Sequence, residues 1–187
     1  MRQPLGPALT CLLALALALL PAPPVTGAPP APPPPPPAPA VARAWPVGVR
    51  PPVLRGWEPP ATVYGRGHRG VDLSAAPGAP VRAVAAGRVA FAGQVAGKWV
   101  LSIDLAGTDL RTTYEPVRAT VPRGAEVAPG ETVGRVEPAG SHCTAPCVHW
   151  GLRRGRTYLD PLTLLPPWLL HSTPPMLLPV LGVPLPA

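Results

Sequence analysis

Proline is the residue that most restricts how this chain can fold. Of 34 prolines, 19 fall in residues 1–60, 8 in residues 61–165 and 7 in residues 166–187. A proline ring fixes φ and removes a backbone donor, so such dense stretches exclude regular helices and central strands. The span 61–165 is left for one ordinary domain, and its 105 residues are too few for a multi-domain enzyme. The chain has a single Phe, and its apolar residues are mostly Val, Ala and Leu, which suits a modest core built from strands.

The proline-rich ends have separate readings. Residues 1–28 are expected to be an export signal: Met1-Arg2 is a short positive start, Cys11–Leu20 is apolar, and a small-residue stretch ends at Ala28. Ten residues of helix cover about 15 Å, half of a bilayer core, so no membrane span is expected to remain after cleavage. Cys11 opens the apolar run instead of following it, which argues against lipidation. Residues 29–60 read as a proline-rich linker and lead-in segment. Its Pro29–Ala40 stretch, nine prolines and three alanines, would extend about 37 Å as polyproline. Residues 166–187 form a proline-rich apolar tail that packs on the domain, docks on a partner or stays unstructured.

Fifteen Arg and one Lys against nine acids give a net charge of +7. From Arg43 to Arg156 the basic residues are scattered, without the stripe or aromatic-interleaved groove that nucleic-acid binding needs. An exported protein acting on an anionic cell envelope fits this balance. So does the blander reading, a coding bias toward Arg.

Within 61–165 the pattern is of short strands and tight turns. Val81–Val84 and Gly87–Phe91 are joined by Ala85-Ala86, Trp99–Leu105 alternates, and Leu110–Tyr114 follows the Gly107-Thr108-Asp109 turn. Gly124–Val127, Thr132–Val136 and Cys147–Leu152 complete the set. Helical periodicity is missing, so the expected class is all-β, an antiparallel sandwich or barrel-like single domain.

Two segments carry the chemistry. In His68-Arg69-Gly70-Val71-Asp72, an extended backbone puts His68 and Asp72 on one face, with Gly70 allowing close approach between them. In Cys147-Val148-His149, residues 147 and 149 share a face while Val148 and Trp150 turn to the core. A histidine that alternates with apolar residues is more often a core residue than a ligand. Together, though, the segments supply His, Asp and His, three ligands with one position open, as in a catalytic zinc site.

These motifs resemble the lysostaphin-type (LytM-like) zinc metallopeptidases. The resemblance is carried by His68–Asp72, Ala76–Val81, Ala86–Val89, Gly124–Gly134 and His149–Leu152, in order and register from about Val63 to Leu165. It implies a duplicated-hybrid-motif β domain, secretion, one Zn2+ and hydrolysis of peptide cross-links in the peptidoglycan of the cell wall. His68, Asp72 and His149 match the three metal ligands. Two helper positions depart from the family pattern. Its His-x-His strand has Cys147 at the first histidine, and its Tyr-x-His-Leu segment has Pro116 in Tyr114-Glu115-Pro116-Val117. Losing such groups typically costs about 10²–10³-fold each. His142, Glu115 and Tyr114 are the candidate catalytic replacements, against the plainer alternative that His142 and Glu115 are surface residues.

Cys143 and Cys147 admit three states: a disulfide bracing the strand of His149, a reduced pair joining His142 and His149 around a metal, or free thiols. Two functions follow, an active zinc endopeptidase or a catalytically degenerate relative that binds the wall or regulates another hydrolase. A biotinyl or lipoyl carrier is disfavoured because Lys98, the sole lysine, lacks the flanking Met.

Overall fold

The computed structural model describes residues 36–62 and 64–171. The segment expected to be an export signal, the first part of the polyproline stretch and the tail beyond His171 lie outside them. Among the described residues, eleven strands form two antiparallel sheets. The larger contains β1 (Val53–Arg55), β2 (Gly70–Ser74), β4 (Gly87–Val95), β5 (Lys98–Leu105), β6 (Leu110–Glu115), β8 (Glu126–Val127), β10 (Cys147–Arg154) and β11 (Thr157–Leu159). Its order is β1-β2-β10-β6-β5-β4-β8, with β11 pairing the far end of β10. The smaller is β3 (Pro80–Arg82), β9 (Thr132–Val136) and β7 (Val117–Ala119), in the order β3-β9-β7. A 3-10 turn at Pro161–Leu164 and one helical turn, α1 (Pro167–Leu170), close the described chain. The all-β class therefore holds. Among the described residues no helix is long and apolar enough to cross a membrane.

Alternation along each strand sorts the side chains. On β5, Leu101, Ile103 and Leu105 are buried while Asp104 faces out and accepts a hydrogen bond from Arg111 at 2.6 Å. On β10, Val148, Trp150 and Leu152 enter the core beside Val71 and Leu73 of β2 and Tyr114 of β6. The buried Trp150 Nε1–H donates to Thr112 Oγ1 at 2.7 Å, so the largest core side chain leaves no orphan donor.

Val81–Val84 and Gly87–Phe91 are joined through Ala85-Ala86 but belong to different sheets: β3 joins β9 in the smaller sheet, whereas β4 pairs with β5. The Ala85-Ala86 turn carries the chain between sheets, a choice that strand periodicity leaves open. The packed unit also begins well before residue 61. Ala42, Trp45 and Val47 are buried, the Trp45 ring lies 6.4 Å from that of Trp150, and Trp45 Nε1–H donates to the Leu169 carbonyl. Proline excludes regular elements from the lead-in segment, but extended chain can still bury side chains.

Trp150→Ala should cost about 3–5 kcal/mol, because it opens a cavity in the core and strips Thr112 of its partner. Urea denaturation of the purified chain measures this.

Candidate metal centre

The pairing of β2, β10 and β6 builds the site on the outer face of the larger sheet. In register, His149 stands opposite Asp72 on one side and Glu115 on the other. Directly opposed residues have Cβ atoms about 4.5–5.5 Å apart, so these three side chains leave the sheet together. His68 lies just before β2 and is held by a backbone bridge to Glu58, with N–H···O distances of 2.8 and 3.1 Å.

Four side chains converge. Asp72 Oδ1 lies 3.1 Å from His68 Nε2 and 2.8 Å from His149 Nδ1, and these two nitrogens are 3.1 Å apart. His142, from the loop after β9, places Nε2 3.1 Å from both Asp72 carboxylate oxygens. The Asp72 and His68 side chains are 3% and 5% exposed, whereas that of His142 is 35% exposed. The structure thus brings together the three residues expected from the motifs and adds His142 at the rim. Burial alone would raise the Asp72 carboxyl. The hydrogen bond from His149 and the charges of His142, His149 and His68 outweigh it, so it lies below the ordinary carboxylate range.

The donor set suits a small divalent cation. His68 Nδ1 donates to the Gly56 carbonyl at 2.6 Å, and a carbonyl can only accept. A proton is therefore held on Nδ1, so that when the ring is neutral its lone pair is on Nε2 and aimed at the cluster, the outer-shell device that orients metal-binding imidazoles. A tetrahedral zinc with bonds of about 2.0–2.1 Å spaces its ligand atoms by about 3.3 Å. Separations of 2.8–3.1 Å among Asp72 Oδ1, His68 Nε2 and His149 Nδ1 are close to that. Gly70 completes the fit, because a Cβ there would overlap the Trp150 carbonyl and come within 2.7 Å of His149 Nε2.

The other expected residues separate. Glu115 is on the outer face beside His149. Tyr114, one residue earlier, is fully buried on the opposite face, where burial pushes its phenol up, and the structure does not bring it to the cluster. Cys147 stands next to Ser74 at the start of β10, its Cα 6.2 Å from that of Cys143 and the two sulfurs within bonding distance. Gly56 was invisible to motif reading. Its contribution is a backbone carbonyl from a segment without regular pattern, so no residue type announces it.

An all-β domain whose sheet face gathers His68, Asp72, His142 and His149 offers a donor set that could hold a metal ion. The chain is a member of Peptidase family M23, whose profile matches residues 66–161, just over half of its 187 residues. The uncharacterized protein Rv2891 of Mycobacterium tuberculosis is 40% identical over 141 residues, 73% of this chain and 54% of that protein. The chain thus spans about half the length of this curated relative. Csd3 of Helicobacter pylori superposes with a TM-score of 0.56 at 26% identity, over 68% of this chain and 35% of that one. The catalytic domain of lysostaphin from Staphylococcus simulans gives 0.53 at 24% identity, over 65% of this chain and 93% of that one, a likeness of fold.

Gly70→Ala should cost about 1–3 kcal/mol and displace the His149 ring. Gly56→Ala, where a Cβ meets nothing within 4 Å, should stay within about 0.5 kcal/mol of the parent. Chemical denaturation of both variants, with the His149 imidazole resonances as a local probe, checks the contrast.

Proposed function

We propose that the chain is an exported zinc endopeptidase of peptidoglycan cross-links in which His142 and Glu115 stand where the family's helper histidines are missing. The observation that carries this reading is the approach of His142 Nε2 to within 3.1 Å of both Asp72 oxygens, on the open side of an otherwise buried donor set. His68, Asp72 and His149 would hold one Zn2+. When bound, the ion would lower the pKa of a coordinated water toward about 7 and polarise the scissile carbonyl.

The remaining work falls to the chain. Glu115, opposite His149 in register on β6, would accept a proton on its carboxylate from the attacking water. The His142 imidazole, half in solvent, is suited to exchange a proton at Nε2 with the leaving amine. It is the most exposed of the four converging side chains, which fits a mobile proton carrier better than a fourth structural ligand closing the site. A Cys143–Cys147 disulfide would anchor His142, since it ties the residue after His142 to the first residue of β10. Ser141 Oγ accepts from Cys143 N–H at 3.1 Å, and the Pro146 carbonyl accepts from Ala75 N–H at 3.2 Å, so the loop has further ties at both ends. The degenerate alternative, a wall-binding or regulatory relative, draws its support from Pro116 and Cys147 at the two helper positions.

The mature domain should bind about one zinc ion by elemental analysis, and Asp72→Ala should bind none; equal metal in both refutes the centre. Purified peptidoglycan treated with the zinc-loaded protein should release new amino groups, and a chelator should stop the release. His142→Ala and Glu115→Gln should each keep the metal and lose about 10²-fold in rate. No release by the zinc-loaded parent would transfer the reading to the degenerate relative. Thiol titration of the unreduced mature chain in denaturant should find neither Cys143 nor Cys147 reactive.

A further inference from the structure

On the outer face of β10, His149, Gly151 and Arg153 follow one another at every second position. Gly151 is the low point of that row. It pairs with Gly70 on one side and Thr113 on the other, so the surface between His149 and Arg153 is floored by two glycines. A Cβ at position 151 would press on Thr113 Oγ1 at about 2.5 Å, so this floor stays open only with glycine. At Gly151 the edge partner of β10 also changes, because β2 ends its pairing there and β11 takes over from Leu152.

A surface cavity of about 480 Å³ lies at this junction, walled by Tyr64, Arg69, Arg153, Arg156 and Tyr158. Three guanidinium groups and two phenols line it, and no acidic residue does. Tyr158 pairs with Arg153 in register and so belongs to the same face. Its ring lies 5.4 Å from the Arg153 guanidinium carbon and 5.7 Å from that of Arg69. The arginines are held in place by backbone carbonyls: Arg69 donates to the Gly65 carbonyl and Arg153 to that of Gly155, both at 3.0 Å. Among the described residues neither Arg153 nor Arg156 has an ion pair, and Arg153 Nε is buried without a hydrogen-bond partner. The charge of these two guanidiniums is thus matched by no carboxylate among the described residues, and their accessible N–H groups are open to an acidic ligand. By contrast Arg111, Arg118 and Arg154, elsewhere on the surface, each pair with a carboxylate.

We propose that this cavity is a carboxylate subsite that grips an acidic group of a peptide whose scissile bond lies at the His68–Asp72–His149 cluster. The proposal rests on the peptidase reading for the second half of that statement only. Four residues of strand separate His149 from Arg153, a distance of about 13 Å, which an extended peptide covers in three to four residues. The preferred substrate therefore carries its carboxylate three to four residues from the cut bond. Planar guanidinium forks match a carboxylate, and the tyrosines shield the pairs from water, which strengthens them.

The test uses the mature chain and two synthetic peptides, acetyl-Ala-Ala-Ala-Ala-Glu-amide and its Gln counterpart. Tyr64 and Tyr158 ring resonances report occupancy in an NMR titration. The Glu peptide should bind about tenfold more tightly than the Gln peptide, as expected for one charge-assisted contact. Arg156→Gln, on an exposed turn, and Arg153→Gln should each remove most of that preference. Equal binding of the two peptides, or a preference that survives both substitutions, overturns the subsite. Tighter binding of a phosphate polymer than of the Glu peptide overturns its assignment to carboxylates. A Glu preference in a protein that cleaves no peptidoglycan keeps the subsite and rejects the peptidase reading, so the two failures are distinguishable.

Discussion

Everything in this domain depends on the central strand β10 being usable on both sides. Its inward residues, Val148, Trp150 and Leu152, are fully buried and tie the large sheet to the core. Its outward residues, His149, Gly151 and Arg153, form the working surface. Because pleated backbone alternates with period two, fixing the core side in register fixes the outer side as well. A slip of one residue would bury His149 and expose Trp150. The stability of the fold and the position of the candidate site are thus one constraint.

From that strand the site is assembled in layers. Pairing with β2 brings Asp72 opposite His149, and pairing with β6 brings Glu115 to its other side. The Gly56 carbonyl then sets the proton on the far nitrogen of His68, so that its other nitrogen faces Asp72. Last comes the loop carrying His142, fastened through Ser141, the neighbouring cysteines and Pro146. The result is a carboxylate nearly enclosed by three imidazoles, with its least buried partner on the solvent side. Exposure rises from 3% at Asp72 to 35% at His142, and the proposed division between ion-holding groups and a proton carrier follows that gradient.

The departures from the family pattern take on a physical sense in this arrangement. Cys147, where the resemblance to the family leads one to expect a helper histidine, stands close enough to Cys143 to constrain the loop that presents His142 to Asp72. Pro116 follows Glu115, the residue opposite His149. Reading the helper positions one at a time suggests loss of function, whereas the assembled surface still offers an imidazole and a carboxylate beside the cluster. Tyr114 shows the opposite case: on the right strand and adjacent in sequence, it faces the core and has no part in the site.

The sequence by itself determined the strand alternation, the all-β class and the two short segments that carry His68, Asp72 and His149. Each depends on short-range spacing: His68 and Asp72 are four residues apart, and His149 is flanked by two core residues. What only the tertiary structure decided depends on contacts between distant segments. Trp45 packs on Trp150 from a segment whose prolines seemed to remove it from the fold. The Gly56 carbonyl reaches His68 across 12 residues, and His142 reaches Asp72 across 70. The arginine cavity exists because β2 and β11 meet at one edge of β10. Backbone periodicity is a local property that a sequence displays directly. Which carbonyl, loop or side chain meets a site from afar is settled by how the two sheets and the lead-in segment pack, and that leaves no local pattern to read.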